Sequence, residues 1–180
     1  MIDRDKFFGR VRVAPFGGTL TQGQVDGCNA ILSMWESRLE FTDRRWLAYM
    51  LATAKWETAH TMRPIEEWGK GQGRPYGVPV NGHVYYGRGY VQLTWAVNYA
   101  KMAALTGADL MRHPELALEP KIAALIMFDG MRSGLFTGLG LPTFFNERRD
   151  DPLGARRVIN GTDHADDIAV IHAGFLAALS

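Results

Sequence analysis

Cysteine is nearly absent from this chain. Cys28 is the single one in 180 residues, so no disulfide can form within the chain. Folding in a reducing compartment is expected, with Cys28 a core residue rather than a nucleophile. Net charge is also close to zero. The 20 basic and 19 acidic side chains leave +1, which excludes an overall basic footprint for nucleic acid. In the N-terminal MIDRDKFFGRVRVAPFGG, charge breaks every apolar run, and the apolar centre of a signal peptide is missing. No segment approaches the ~18 apolar residues of a membrane span. Fixed-period repeats and low-complexity linkers are absent too. The five histidines show no metal-ligand spacing and no HExxH pattern, so neither metal nor cofactor is expected. Gly69, Gly71 and Gly73 imitate a phosphate loop, but no strand precedes them, and they are expected to form a mobile cleft edge. What remains is one soluble, monomeric domain, residues 1–180, long enough to bury a real core.

Helical periodicity dominates the sequence. Thr21 and Gln24 suit a capping box, followed by Val25, Cys28, Leu32, Trp35 and Leu39 at steps of three and four. Thr42 or Asp43 can cap a second helix with the stripe Leu47, Met50, Leu51, Ala54, which Pro64 should end. A third is expected from Thr94 to Gly107, a fourth after Pro120, and a fifth through Arg156 and Arg157 to Ile159. The last carries Ile168, Ile171, His172, Phe175 and Leu179, with Asp166 and Asp167 at its positive end. The clear β signal is GVPV-NG-HVYY, where Asn81-Gly82 favours a type I′ hairpin. The expected architecture is mainly α with a small hairpin, not a βαβ fold.

Between Tyr85 and Tyr99, YYGRGYVQLTWAVNY interleaves rings with Arg88, Gln92, Thr94 and Asn98. Rings stack on pyranose faces, and amides and hydroxyls reach sugar hydroxyl and N-acetyl groups. Upstream lie Glu57, Glu66 and Glu67. Hydrolysis of a glycosidic bond needs an acid at the leaving oxygen and a second group that activates water. Glu57 falls on the flank of the apolar stripe, where burial beside Trp56 or Trp46 would raise a carboxyl pKa. The plainer alternative is a helix-end glutamate paired with Lys55 or Arg63. In an extended loop Glu67 and Glu66 point to opposite sides, with Glu67 on the side of Ile65, so only one is expected to face Glu57. Thr94 is alternatively a helix cap and Asn160 a helix terminus. Trp68 and Trp95 are the better sugar-stacking tryptophans.

Three pieces of the chain resemble glycoside hydrolase family 19: WETAHTM with RPIEEWG, YYGRGYVQLTWAVNY, and RRVING. The resemblance implies a lysozyme-like α+β domain with its hairpin beside the cleft. By position, Glu57 matches the catalytic acid, and Glu67, or Glu66 if the alignment slips by one, matches the base. Thr94 matches the hydroxyl that holds the attacking water. Tyr86, Arg88, Gln92, Asn98 and Asn160 fall on cleft or substrate-binding positions. Inversion without a covalent intermediate is implied, with carboxyls roughly 6.5–9.5 Å apart. The acidic–basic pair of plant members has no evident counterpart, although Asp163 and Arg156 could replace it.

The trimmed, cysteine-poor form is more similar to phage and prophage endolysins than to plant chitinases. That subgroup implies a muramidase acting on peptidoglycan glycan strands at the bond between N-acetylmuramic acid and N-acetylglucosamine. Such an enzyme is made in the host bacterial cytoplasm and reaches the wall after release, through a holin. A chitinase of the same fold, a lytic transglycosylase and a non-catalytic glycan-binding virion protein are the rivals.

Overall fold

The computed structural model describes residues 1–180. Its centre is the helix α3, Arg44–Glu57, buried on all sides from Leu47 to Lys55. Expecting one apolar stripe therefore understates its environment. Small residues at Ala48, Ala52, Thr53 and Ala54 let neighbours approach from every direction. Asp43 caps its start, accepting from the Arg45 amide at 3.0 Å.

The helix α2, Gln22–Ser37, packs against α3 with the expected capping box in place. Thr21 Oγ1 accepts from the Gln24 amide, and Gln24 Oε1 accepts from the Thr21 amide at 2.8 Å. Cys28, Ile31 and Leu32 face the core, and burial pushes the Cys28 thiol up to about 12. Leu39, expected on the same stripe, lies past the helix end and is exposed.

The helix α6, Ala165–Ala178, runs along α3 and buries Ile168, Ile171, His172 and Phe175. On its other side sits α1, Arg4–Val13, which periodicity does not reveal because only Phe7 and Val11 are buried among charges. The helix α5, Pro120–Ser133, packs on α2 and on α4, Ala96–Thr106. Gly107 and Gly134, both left-handed, end α4 and α5. The stretch expected to form a fifth helix is a 3-10 turn over Gly154–Val158. No helix is long and apolar enough to cross a membrane.

Two features shape the site. First, α3 stops at Glu57, well before Pro64. Ala59, His60 and Met62 then take positive φ values of 49°, 66° and 58°. Buried Thr58 holds this strained turn: its Oγ1 donates to the Ala54 carbonyl at 2.7 Å and accepts from the Met62 amide at 3.0 Å. Second, the β structure is sparse. The strand β1 (Ile65–Glu66) pairs antiparallel with β2 (Arg88–Gly89), in the register Ile65↔Gly89 and Glu66↔Arg88. The other pair is β3 (Phe145–Asn146) with β4 (Arg149–Asp150). Asn81 and Gly82 do take the positive φ of a tight turn, but the predicted hairpin closes with a single bridge, Val80 to His83. The pairing beside the cleft is instead the long-range β1–β2 ladder.

Candidate active site

Glu57 sits at the last position of α3, where the helix dipole is unfavourable to a carboxylate. The compensating cation comes from far along the chain. Arg156 Nη1 donates to Glu57 Oε1 at 2.6 Å, and Arg156 Nε donates to the Asp163 main-chain carbonyl at 2.9 Å. Both side chains are largely out of water, at 5% exposure for Arg156 and 16% for Glu57. The partner is thus neither Lys55 nor Arg63, and the carboxyl is held by an ion pair rather than resting only on an indole. Lys55 Nζ lies 2.7 Å from His60 Nδ1 instead. Asp163 meets Arg156 through its backbone rather than its carboxylate, and the Arg156 cation pairs with Glu57 and not with Glu66 or Glu67.

Glu66 and Glu67 part company at the end of β1. Glu67 Oε1 accepts from the Tyr76 hydroxyl at 2.9 Å, and Oε2 accepts from the Gly87 amide at 2.9 Å. The Glu67 amide donates back to the Gly87 carbonyl at 2.7 Å. Gln92 completes this corner, with Nε2 donating to the Ile65 and Gly89 carbonyls. A Cβ on Gly87 would lie 2.8 Å from Gln92 Oε1 and 3.3 Å from Glu67 Oε2, so a side chain there would push on the two groups that form this corner. Glu66 turns the other way. Its Oε1 accepts from the Tyr86 hydroxyl at 2.5 Å and its Oε2 pairs with Lys70 at 2.9 Å. Those two bonds hold its carboxyl below the usual range.

A cleft of about 390 Å³ is lined by Glu57, Tyr76, Gln92, Thr94, Trp95, Asn98, Phe136 and Asn160, among others; Glu66 and Glu67 are not among its lining residues, and Glu67 is joined to it through Tyr76. Thr94 does not cap α4; Trp95 occupies that position without a side-chain bond, at φ 72°. Asn98 Nδ2 donates to the Thr94 carbonyl at 3.0 Å, and Asn160 Oδ1 accepts from the Gly161 amide at 2.9 Å. The half-exposed Trp95 ring meets Tyr76 edge-on, with centroids 5.6 Å apart. Trp68, beside Glu67, is 97% exposed and lies outside the cleft lining.

Two expected substrate-binding residues are placed differently. Tyr86 and Arg88 are buried, at 7% and 6% exposure, and line no wall of the cleft. The Arg88 guanidinium carbon lies 3.5 Å from the Tyr86 ring centroid, and Arg88 Nη1 donates to the Val84 carbonyl and the Tyr99 hydroxyl. The pair braces the signature segment from behind, with Arg88 opposite Glu66 in the β1–β2 register and Tyr86 bonded to the same carboxylate. Tyr76 and Phe136 escaped sequence reasoning. Tyr76 sits in a glycine-rich stretch with no periodicity, and Phe136 follows α5 in a loop; only contacts across the fold bring them to the cleft.

Neither a protein-family model nor a curated protein matches the sequence. Solved structures do match. Chitinase C from Streptomyces griseus HUT6037 superposes with a TM-score of 0.64 at 19% identity, over 98% of this chain and 76% of that one. A chitinase C mutant gives 0.59 at 21%, over 99% and 92%. A bacterial family 19 chitinase, reported to differ from plant enzymes, gives 0.61 at 20%, over 99% and 95%. The chain has the fold of the family 19 chitinases.

Proposed function

We propose that the protein is a glycoside hydrolase that cleaves β-1,4-linked N-acetylhexosamine chains by inversion, with peptidoglycan glycan strands as its substrate. The observation that carries this reading is a cleft lined by one held carboxylate, Glu57, and joined to a second, Glu67, through the hydroxyl of the lining residue Tyr76. Glu57 protonates the leaving oxygen; Arg156 anchors one carboxyl oxygen and leaves the other for the proton. Glu67 accepts a proton from water, since each of its bonded oxygens keeps a further lone pair. Thr94, whose hydroxyl is not engaged in a helix cap, helps hold that water. The water attacks the anomeric carbon from the face opposite the leaving group. Glu66 is the poorer base, because its partner Lys70 is a cation and, with the Tyr86 hydroxyl, holds its carboxyl below the usual range. Asn98, Gln92 and Asn160 face the sugar, and Trp95 offers it a stacking surface.

Muramidase specificity rests on the cysteine-poor, endolysin-like form of the sequence, and passage to the wall through a holin belongs to the same reading. The second reading is a chitinase, favoured by the solved structures that share this fold. Mass spectrometry of purified peptidoglycan and of N-acetylglucosamine oligomers, each digested with wild type, E57Q, E66Q and E67Q, separates them. New reducing-end N-acetylmuramic acid, lost in E57Q and E67Q and kept in E66Q, is expected. Cleavage of the oligomers alone makes the protein a chitinase. A 1,6-anhydro product would mean a lytic transglycosylase, and two intact substrates would leave only glycan binding.

A further inference from the structure

We propose that Tyr76 is a positioning residue for Glu67 and that the glycine-rich loop is built to aim its hydroxyl; the kinetic part of this proposal rests on the hydrolase reading above. The loop following β1 is closed on itself by successive main-chain turns. The amides of Lys70, Gln72, Arg74 and Gly77 donate to the carbonyls of Glu67, Gly69, Gly71 and Arg74, at 2.8–3.1 Å. The closure depends on two glycines in backbone contact. A Cβ on Gly77 would come within 1.8 Å of the Gly71 carbonyl oxygen, and one on Gly71 within 2.9 Å of Gly77 Cα. Gly71 also takes φ +79°, which disfavours any side chain. The stretch expected from its composition to be a loose edge is thus a knitted turn.

Its outcome is that Tyr76, next to Gly77, returns to Glu67 and donates to it at 2.9 Å, while the Trp95 ring braces the tyrosine ring from the side. Together with the Gly87 amide on the other oxygen, the hydroxyl fixes the carboxylate plane. That suits a group that must be oriented toward the water it deprotonates. Tyr76 therefore acts through Glu67.

The test compares full-length wild type, Y76F and G77A. The phenylalanine keeps the ring and its contact with Trp95 but removes the donor; the alanine keeps the hydroxyl but forces the loop apart. The first readout is the carbon-13 NMR chemical shift of the Glu67 carboxyl at pH 7, assigned with E67Q, and it needs no catalysis. The second is kcat and KM on the glycan that wild type cleaves. In Y76F the carboxyl resonance should move from its wild-type position, since one oxygen loses its donor. Its kcat should fall about tenfold to a hundredfold, with KM nearly unchanged. G77A, if it folds, should move both in the same direction. An unmoved resonance in Y76F, or an effect confined to KM, would overturn the proposal. If wild type cleaves neither peptidoglycan nor chitin oligomers, the hydrolase reading fails while the resonance still decides whether Tyr76 holds Glu67.

Discussion

Replacing Arg156 with methionine leaves a carboxylate at the end of α3 without its counter-charge. Arg156 and Glu57 are 5% and 16% exposed, so neither charge can recover much solvation from water. Removing one partner of a buried pair costs about 3–5 kcal/mol. The side of Glu57 open to the cleft places the expected loss near the lower end, at about 3 kcal/mol. The Asp163 carbonyl also loses its donor, but that residue is exposed and water replaces the bond. In a chain of this length each kcal/mol moves the midpoint by about 2–4 °C, so R156M should melt roughly 6–12 °C lower. Methionine keeps most of the packing volume, which isolates the charge effect. Combining R156M with E57Q should restore about 1–3 kcal/mol relative to the sum of the single variants. Urea denaturation of the four proteins at pH 7 measures every term. A loss below about 0.5 kcal/mol at pH 7, or strict additivity in the double variant, would show that the pair contributes nothing and refute the reasoning.

Three further outcomes follow from particular contacts. Gly27 of α2 lies against the strained turn after α3, where an added Cβ would be 1.8 Å from the Met62 carbonyl oxygen, so G27A should cost about 3 kcal/mol or more. In exposed Gly9, with nothing within 4 Å, the same change should gain roughly 0.5–1 kcal/mol; equal effects at the two sites in thermal denaturation would contradict this account. His172 is buried against Tyr49 and Phe145 with Nε2 unpartnered, and burial holds its imidazole below the ordinary range despite the nearby Asp43 and Asp150 carboxylates, with Arg45 opposing them. The unfolded chain then binds the proton more readily, so stability is full above the unfolded value of about 6.5 and declines as pH falls toward the lower folded value. H172F should flatten that decline between pH 7 and 5, leaving the part due to His60, which burial and Lys55 also push down; an unaltered pH dependence of the melting point would assign the loss elsewhere. T94V should melt within about 0.5 kcal/mol of wild type, because the hydroxyl caps nothing, yet lose about a hundredfold in turnover on the cleaved glycan. Full activity in that variant would remove Thr94 from the water site.

The sequence by itself determined the elements whose signals are local. The Thr21–Gln24 box, the Asp43 cap, Gly107 as a helix stop and the apolar spacing of α3 and α6 each act within a turn or two of chain. The same locality gave Glu57 its place at a helix flank and separated Glu66 from Glu67 by the alternation of an extended segment. Only the tertiary structure decided what lies across those groups. Arg156 reaches Glu57 from 99 residues away, and Tyr76 returns to Glu67 because two glycine backbones touch. Tyr86 and Arg88 carry the composition of a sugar site but are buried, with Arg88 opposite Glu66 in the β1–β2 register and Tyr86 bonded to the same carboxylate. Periodicity reports which face of an element is apolar; it carries no information on which distant side chain meets that face, because that is fixed by how the helices and turns pack around α3.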